Sequence, residues 1–262
     1  MKSIERQQFL LTQANKYNFV SIPQSALVLK VSVETIRRDI NILCNQKKLK
    51  KVHGGAVPVH TAIRKDPAYN QRFSHNPKGR EAVAAAAARL IKNGDVVTID
   101  SGATNKLLAQ HITGVENVTF VVNSLHIATI LAEKLETGEI SGKLIMIGGT
   151  VESPERRTAD TYALESLDPF RFDLAFLTAS AVSADSVSNA TISATVFIGK
   201  QMRHAATTVL VADSEKLGST SAFRFAMPRD FDYIFVDDQY PVPQDLLDVL
   251  EDSNTKLTIV RA

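Results

Sequence analysis

Between Val31 and Gln46 the chain reads Val-Ser-Val-Glu-Thr-Ile-Arg-Arg-Asp-Ile-Asn-Ile-Leu-Cys-Asn-Gln, and its polar residues are of the types that contact nucleic acid. Val33, Ile36, Ile40 and Leu43 recur at steps of three and four, the period of one buried helix face. That leaves Glu34, Thr35, Arg37, Arg38, Asn41 and Asn45 facing outward, with Ser32 placed to cap the first free backbone N–H groups. A capped helix with short polar residues at its start and two arginines one turn in suits a DNA major groove. Its first residues reach base edges and its arginines hold phosphates. The same pattern also occurs as a solvated face over a core, so the flanking sequence decides.

A second group of polar residues follows apolar, β-branched runs: Asp100-Ser101-Gly102-Ala103-Thr104, Asn123-Ser124, Gly148-Gly149-Thr150 and Asp213-Ser214-Glu215-Lys216. A loop of small residues leading into a helix leaves N–H groups pointing outward in a partly positive field, which seats a phosphate. Lys216 is placed to meet an anion held by the first loop. The alternative is a plain turn in which Gly102 serves geometry, Thr104 caps and Lys216 is an ordinary exposed lysine. Arg156-Arg157, in a polar loop after Gly149, reads as solvated, with a lid over an anion as a minor alternative. The six histidines show no close metal-ligand spacing, and no cofactor is implied. Cys44 is the one cysteine, so no intramolecular disulfide can form, and it reads as a packed small residue.

The elements that position these groups follow from the flanks. At 262 residues and 44% hydrophobic the chain has room for two domains. Residues 1–60 hold ten Lys or Arg against three Asp or Glu, a balance of +7, while the rest of the chain carries −5. A basic head on an acidic body is the asymmetry of a nucleic-acid-binding module joined to something else. Residues 3 to 17, with Ser3 as cap, place Leu10, Leu11, Ala14 and Tyr17 on one side of a first helix. Val20-Ser21-Ile22-Pro23 reads as extended, and Pro23 opens a short second helix from Gln24 to Leu29. Lys30-Val31 then turns into the polar helix, giving a helix-turn-helix. Beyond it, Gly54-Gly55 predicts a tight hairpin, a wing, whose Lys47, Lys48, Lys50 and Lys51 would neutralise phosphates rather than guard an edge strand.

Pro58, Pro67, Asn70, Asn76, Pro77 and Gly79 then break periodicity, although Tyr69 and Phe73 read as anchors. This sets 1–60 as the DNA-binding domain, 61–78 as a linker and 79–262 as a sensor domain. An alanine-rich helix, Lys78 to Lys92, opens the body. Strands follow at Val96–Ile99, Val118–Val122, Leu144–Ile147, Leu174–Leu177, Val209–Val211, Ile234–Val236 and Leu257–Val260. Helices alternate with most of them, at Asn105–His111, Ser124–Glu136, Tyr162–Leu167, Thr195–His204 and Pro243–Glu251. Alternation of this kind predicts an α/β body, a doubly wound, mostly parallel sheet whose ligands bind beyond the C-terminal strand ends.

Residues 6 to 57 resemble the winged helix-turn-helix of the DeoR family of bacterial transcriptional regulators. Val31, Ser32, Thr35, Ile36, Arg37, Arg38 and Asp39, then His53, Gly54, Gly55 and Ala56, match its hallmark in identity and spacing. Lys30 stands where the family usually turns on Gly, and Ser25 where it often has Glu. The strand-end residues Asp100, Ser101, Gly102, Thr104, Asn123, Ser124, Gly148, Gly149, Asp213, Ser214 and Lys216 resemble the family's sensor domain. The resemblance implies a fold similar to ribose-5-phosphate isomerases and coenzyme A transferases, with a phosphorylated sugar or related metabolite as effector. Thr178-Ala179-Ser180-Ala181-Val182 and the loop Asp185-Ser186-Val187-Ser188 lack the usual glycines, and Ala103 and Asn105 replace common threonines.

The expected function is a cytoplasmic, sequence-specific repressor that binds an operator as a homo-oligomer, a dimer or tetramer, under a small anionic metabolite. Ser32, Glu34, Thr35, Arg37, Arg38, Asn41, Lys48, Lys50, Lys51 and His53 would meet DNA. Asp100, Ser101, Gly102, Ala103, Thr104, Asn123, Ser124, Gly148, Gly149, Asp213 and Lys216 would meet the effector. No membrane partner is expected, since no apolar run is long enough to span a bilayer and the first residues, Met-Lys-Ser-Ile-Glu-Arg, read as a charged helix. The competing class is a sugar-phosphate isomerase-like enzyme with Asp100, Asp185 or Asp213 as base and Lys216 as phosphate clamp. A constitutive architectural DNA binder, without a ligand site, is the third.

Overall fold

In a computed structural model the chain is described over residues 2–17, 19–46, 48–52, 54–58, 76–153 and 155–262, with backbone alone for 15–17. His53, Tyr69, Phe73 and most of the expected linker lie outside these residues. The head comprises α1 (Ser3–Tyr17), β1 (Val20–Ser21), α2 (Ile22–Leu29), α3 (Val33–Asn45), β2 (Leu49–Val52) and β3 (Gly55–Pro58). Leu10 and Ala14 from α1, Ile36, Ile40 and Leu43 from α3, and Leu49 and Ala56 from the wing form one core. The wing is antiparallel, Val52 opposite Gly55, and β1 adds to β3 as a third strand. Gly55 is required at that junction: a Cβ there would lie 2.2 Å from the carbonyl oxygen of Val20.

Three local expectations are corrected. The second helix starts at Ile22, because Ser21 caps it by accepting from the Gln24 N–H, so Pro23 lies inside the first turn rather than before it. Val33, expected in the core, is 40% exposed, and that end is closed by the partly buried Leu29 and Val31. Ser3, expected as a cap, donates its hydroxyl to Asp39 instead.

Asn76 caps α4 (Pro77–Ala88) by accepting from Gly79. The helix stops at Ala88, short of the expected Lys92, since Leu90 and Ile91 donate to carbonyls only three residues back and tighten the last turn. The body then runs β4 (Val96–Ile99), α5 (Ala103–His111), β5 (Val118–Val122), α6 (Leu125–Glu136), β6 (Gly142–Met146), β7 (Val151–Glu152), β8 (Arg157–Thr158), α7 (Thr161–Glu165), β9 (Phe172–Leu177), β10 (Ala181–Ser183) and β11 (Ser186–Asn189). It ends with α8 (Ile192–Arg203), β12 (Ala205–Val211), β13 (Phe223–Ala226), β14 (Tyr233–Asp237), α9 (Gln244–Glu251) and β15 (Lys256–Val260). Seven strands form one sheet, in the order β15-β14-β12-β9-β4-β5-β6, and every pair in it is parallel.

Alternate residues of each strand enter opposite cores, as the period of two requires. Leu174 and Phe176 face α4, α5 and α6, whereas Ala175 and Leu177 face the layer of α8 and α9. The doubly wound, parallel reading therefore holds. Two small antiparallel sheets were not expected, β7-β8 and β10-β11-β13. Asp185–Ser188, read as a loop, is a turn and strand of the latter, in which Ala181 pairs with Ser188. Short runs such as Ser-Val-Ser-Asn carry no clean alternation, and their tertiary partners make them strands.

The chain reverses its direction of growth between β4 and β9. From β4 it adds β5 and β6 on one side, then returns to lay β9 on the other and continues outward. The crevice at such a reversal is where open α/β sheets take ligands.

Lys30 adopts φ 52° at the C-cap of α2, its N–H bonded to Ala26 and Leu27 and the Val31 N–H to Ala26. A left-handed cap is glycine's natural place, because Cβ meets the following carbonyl. Lys30→Gly should raise the unfolding free energy by about 1 kcal/mol, read by denaturant melting of the full chain. A loss of stability would show that Lys30 makes a compensating contact.

Candidate functional site

The outward face of α3 is set by one buried carboxylate. Asp39 is 2% exposed and accepts from Ser3 Oγ at 2.8 Å, Arg6 Nε at 2.7 Å and Gln7 Nε2 at 3.1 Å. Burial pushes its pKa up, but these hydrogen bonds and the Arg6 charge outweigh that and hold it below the ordinary carboxylate value. The tie fixes α1 across α3 and so fixes which residues α3 shows to solvent. Glu34, Arg37, Arg38 and Asn41 are exposed and Thr35 is half-buried. Ser32 caps the helix, accepting from the Thr35 N–H at 3.1 Å, with its hydroxyl 2.8 Å from that of Thr35. Arg37 lies 3.5 Å from Glu34.

On the wing, Lys48, Lys50 and Lys51 are exposed. Lys50 and Lys51 are neighbours on a strand and so leave it on opposite faces. Lys50 approaches Asp245 of α9 at 4.0 Å. Lys51 acts on Cys44, lowering its thiol pKa slightly against a larger upward push from burial, so that the net shift is upward. A raised thiol pKa is that of a packed cysteine rather than a reactive one.

At the strand ends the structure gathers some expected residues and separates others. Asp100, Ser101, Ala103, Thr104, Asn123 and Ser124 are all buried along the C-terminal edge of β4 and β5. Thr178, at the end of β9, donates to Asp100 Oδ2 at 2.9 Å and to the Ser101 carbonyl at 3.2 Å. Gly102 makes this approach possible, since a Cβ on it would lie 2.8 Å from Thr178 Cγ2. It also serves as the N-cap of α5 without a side-chain bond, so Thr104 is not the cap. Helix α5 begins two residues before the expected start. Burial raises the Asp100 pKa to about 6, against lowering by Arg157, Thr178 and the Ser101 N–H, with Glu155 raising it further.

The hairpin β7-β8 lies over this edge. Thr158 donates its N–H to the Asn123 carbonyl, Asn123 Nδ2 donates to the Thr158 carbonyl at 3.0 Å, and Arg157 pairs in a bridge with Ser124. Arg157 is thereby delivered to the loop, its Nη1 3.4 Å from Ser101 Oγ. Lys106 and Arg156 both depress the pKa of His126, after the larger effect of burial, so positive groups converge beside the same edge. Gly148 and Gly149 are exposed at the end of β6, and Gly149 takes φ 126° against Asp160.

Asp213 and Lys216 are placed differently. They follow β12, with β9 between them and β4. Asp213 is fully buried and bound by Arg80 of α4 at 2.9 and 3.2 Å, and Lys216 lies 3.9 Å from it. Ser214 donates both its N–H and its hydroxyl to Asp237 at the end of β14. These contacts bind α4 to the sheet. Asp185 is exposed in its turn, accepting from Ser183.

Sequence reasoning weighed Arg157 only as a minor lid, noted Thr178 and Asn105 only as departures from the family pattern, and missed Lys106 and His126. Asn105 Nδ2 donates to the carbonyls of Asp100 at 2.8 Å and Phe176 at 3.0 Å, locking the two strand ends together. The signal available was position: Thr178 and Lys106 flank predicted strand ends, whereas Arg157 depends on a pairing no local pattern announces.

A helix with an exposed arginine pair beside a wing, joined to a parallel sheet with a buried polar edge, is the architecture of a DNA-binding regulator with a sensing body. Comparison with known proteins agrees. Residues 6–62 match the DeoR-like helix-turn-helix domain and residues 75–238 the DeoR C terminal sensor domain. The chain is 28% identical to the glycerol-3-phosphate regulon repressor of Haemophilus influenzae over 99% of this chain and 98% of that protein. It is 28% identical to the transcriptional repressor GlcR of Bacillus subtilis over 97% and 95%, respectively. An uncharacterised HTH-type regulator of Staphylococcus epidermidis is 31% identical over 67% of this chain and 69% of its own. Ribose 5-phosphate isomerase A from Neisseria gonorrhoeae superimposes on 53% of each chain at TM-score 0.38 and 13% identity, a likeness that carries nothing about chemistry. The chain belongs to the DeoR family and is a DNA-binding transcriptional regulator. Among the described residues no helix is long and apolar enough to cross a membrane.

Asp39→Ala should destabilise the head by about 3 kcal/mol, since Arg6 would be left partly buried without its carboxylate. Because the folded pKa is depressed, the stabilisation is complete above about pH 4 and falls away as pH drops through the lowered value. Acid titration of the unfolding midpoint, parent against variant, measures both. Arg37→Ala and Arg38→Ala should each weaken operator binding by about 1–3 kcal/mol while leaving scrambled DNA less affected. Equal losses on both sequences would reduce the arginines to phosphate contacts.

Proposed function

We propose that the protein is a repressor whose residues 1–60 read an operator and whose residues 79–262 sense a small phosphorylated metabolite, with 61–78 joining them. The observation that carries the sensing half is the buried edge at the reversal between β4 and β9. There an uncapped helix start, the Arg157 guanidinium and the Asp100 carboxyl meet. N–H groups and a guanidinium receive an anion. Hydroxyls of a sugar would pair with Asp100, Ser101 and the Asn123 Oδ1, which is buried without a hydrogen-bond partner. The names of two relatives, a glycerol-3-phosphate regulon repressor and the transcriptional repressor GlcR, support repression, and the first supports a phosphorylated effector.

On the head, Ser32, Glu34, Thr35, Arg37, Arg38 and Asn41 would face bases and phosphates, with Lys48, Lys50, Lys51 and His53 on the backbone. One short helix reads few bases, so a dimer or tetramer on repeated half-sites is required for specificity. Coupling has a physical route. Phe19 of the head meets Tyr240 edge-on at 5.6 Å, and Tyr240 donates its N–H to Ser214 at the end of β12. An effector that favours one arrangement of the strand-end loops would bias the head, provided its affinity for the two arrangements differs. The protein works in the cytoplasm and without catalysis. Asp213, one base of the isomerase alternative, is instead held by Arg80.

An operator selected from random duplexes would be titrated with the full chain, with and without triose, pentose and hexose phosphates. One of these should shift the operator dissociation constant at least about five-fold, as coupling of 1–3 kcal/mol requires. No shift with any of them would end the phosphorylated-effector reading, and turnover of a sugar phosphate would restore the enzyme.

A further inference from the structure

The guanidinium at the strand-end edge already holds an anion supplied by its own chain. Glu152 and Arg157 face each other across the β7-β8 ladder, and Arg157 Nε donates to Glu152 Oε2 at 2.9 Å. The terminal Nη1 extends the other way, toward Ser101. An arginine fork presents several parallel donors, and a carboxylate on its Nε edge occupies donors that a ligand's phosphate or carboxylate would use. Asp100 and Glu155 add negative charge nearby, since Arg157 lowers the Asp100 pKa and Glu155 raises it.

The two partners differ in how easily they can move. The Arg157 side chain is 8% exposed and that of Glu152 34%. The backbone of β8 is pinned on both sides of Arg157, by the Leu125 N–H on the Arg156 carbonyl and the Thr158 N–H on the Asn123 carbonyl. Val151, beside Glu152, is exposed. Glu152 can swing into water at little desolvation cost while Arg157 stays.

We propose that Glu152 is a built-in competitor for the effector's anionic group, holding the Arg157 guanidinium until a ligand anion replaces it. This rests on the reading of the strand-end edge as the anion site. The competition sets a threshold. An incoming monoanion only exchanges one charge for another, whereas a phosphate dianion gains additional attraction and wins. The site is thereby biased toward phosphorylated ligands over carboxylic acids, with affinity tuned below what a free arginine would give.

The test uses the full chain and inorganic phosphate, by calorimetry at pH 7.5 and low salt. Glu152→Gln keeps an acceptor for Nε and removes the charge. It should bind phosphate about five-fold tighter than the parent and should also gain affinity for acetate. Arg157→Gln should lose phosphate binding, and the double variant should behave like Arg157→Gln, with no gain left. Arg157→Lys, which keeps charge without the fork, serves if the glutamine variant does not fold. Phosphate binding unchanged or weakened in Glu152→Gln, with Arg157→Gln still inactive, would overturn the competition and leave the anion site standing. Phosphate bound equally by the parent and both Arg157 variants, or by none of the proteins, would remove the anion site and the competition with it.

Discussion

Seven strands running the same way place every following loop at one edge of the sheet, and the reversal of growth between β4 and β9 opens that edge at one point. The rest of the body answers to this constraint. Asn105 closes the two strand ends by bonding the carbonyls of Asp100 and Phe176, Gly102 leaves room for Thr178, and the β7-β8 hairpin crosses over from β6. A polar group buried there costs free energy when left without a partner, as Asn105 Oδ1 and Asn123 Oδ1 are, and the donors and acceptors around them are tied to one another. The edge is therefore a network rather than a set of independent contacts.

The head solves a different problem with the same economy. Its core is small, with no disulfide available to support it, and a domain of this size is marginal by burial alone. Asp39 supplies what burial does not, a directional tie between α1 and α3 that orients a helix whose buried apolar residues are Ile36, Ile40 and Leu43. The exposed face and the core face are two sides of one orientation. A single buried carboxylate sets both.

Where the sequence was legible, the physics was local. Helix α3 could be read from a period of three and four plus a capping Ser32, the wing from Gly54-Gly55, and the sheet from alternating β-branched runs. Asp100 and Asn123 were legible as strand-end residues because a strand end is itself a local signal. What escaped reading depends on pairing between distant segments. β11 pairs with β10 beside it but also with the distant β13, and Arg157 reaches Ser101 only because β8 is anchored on Asn123 and Ser124. Asp213 and Lys216 were legible as strand-end residues, but not which strand ends lie beside theirs. Strand order, which puts β9 between, was not in the residues. Val33 fits the apolar period yet lies at the helix's first residue, where the core is filled from elsewhere.

The pleat of the wing has a consequence for how ionic strength acts on the whole molecule. Lys50 and Lys51 leave β2 on opposite faces, and Lys50 turns toward Asp245 in the part of the chain after residue 60, which carries −5 against the head's +7. A duplex lying along one face of the wing meets part of its charge, while the remainder is drawn to the protein's own acidic half. Nucleic acid and body are then rivals for the same cations, and counterions screen both attractions together. Free energy of association with DNA is thus a difference between two salt-sensitive quantities, and its slope against the logarithm of salt is shallower than a count of lysines would suggest.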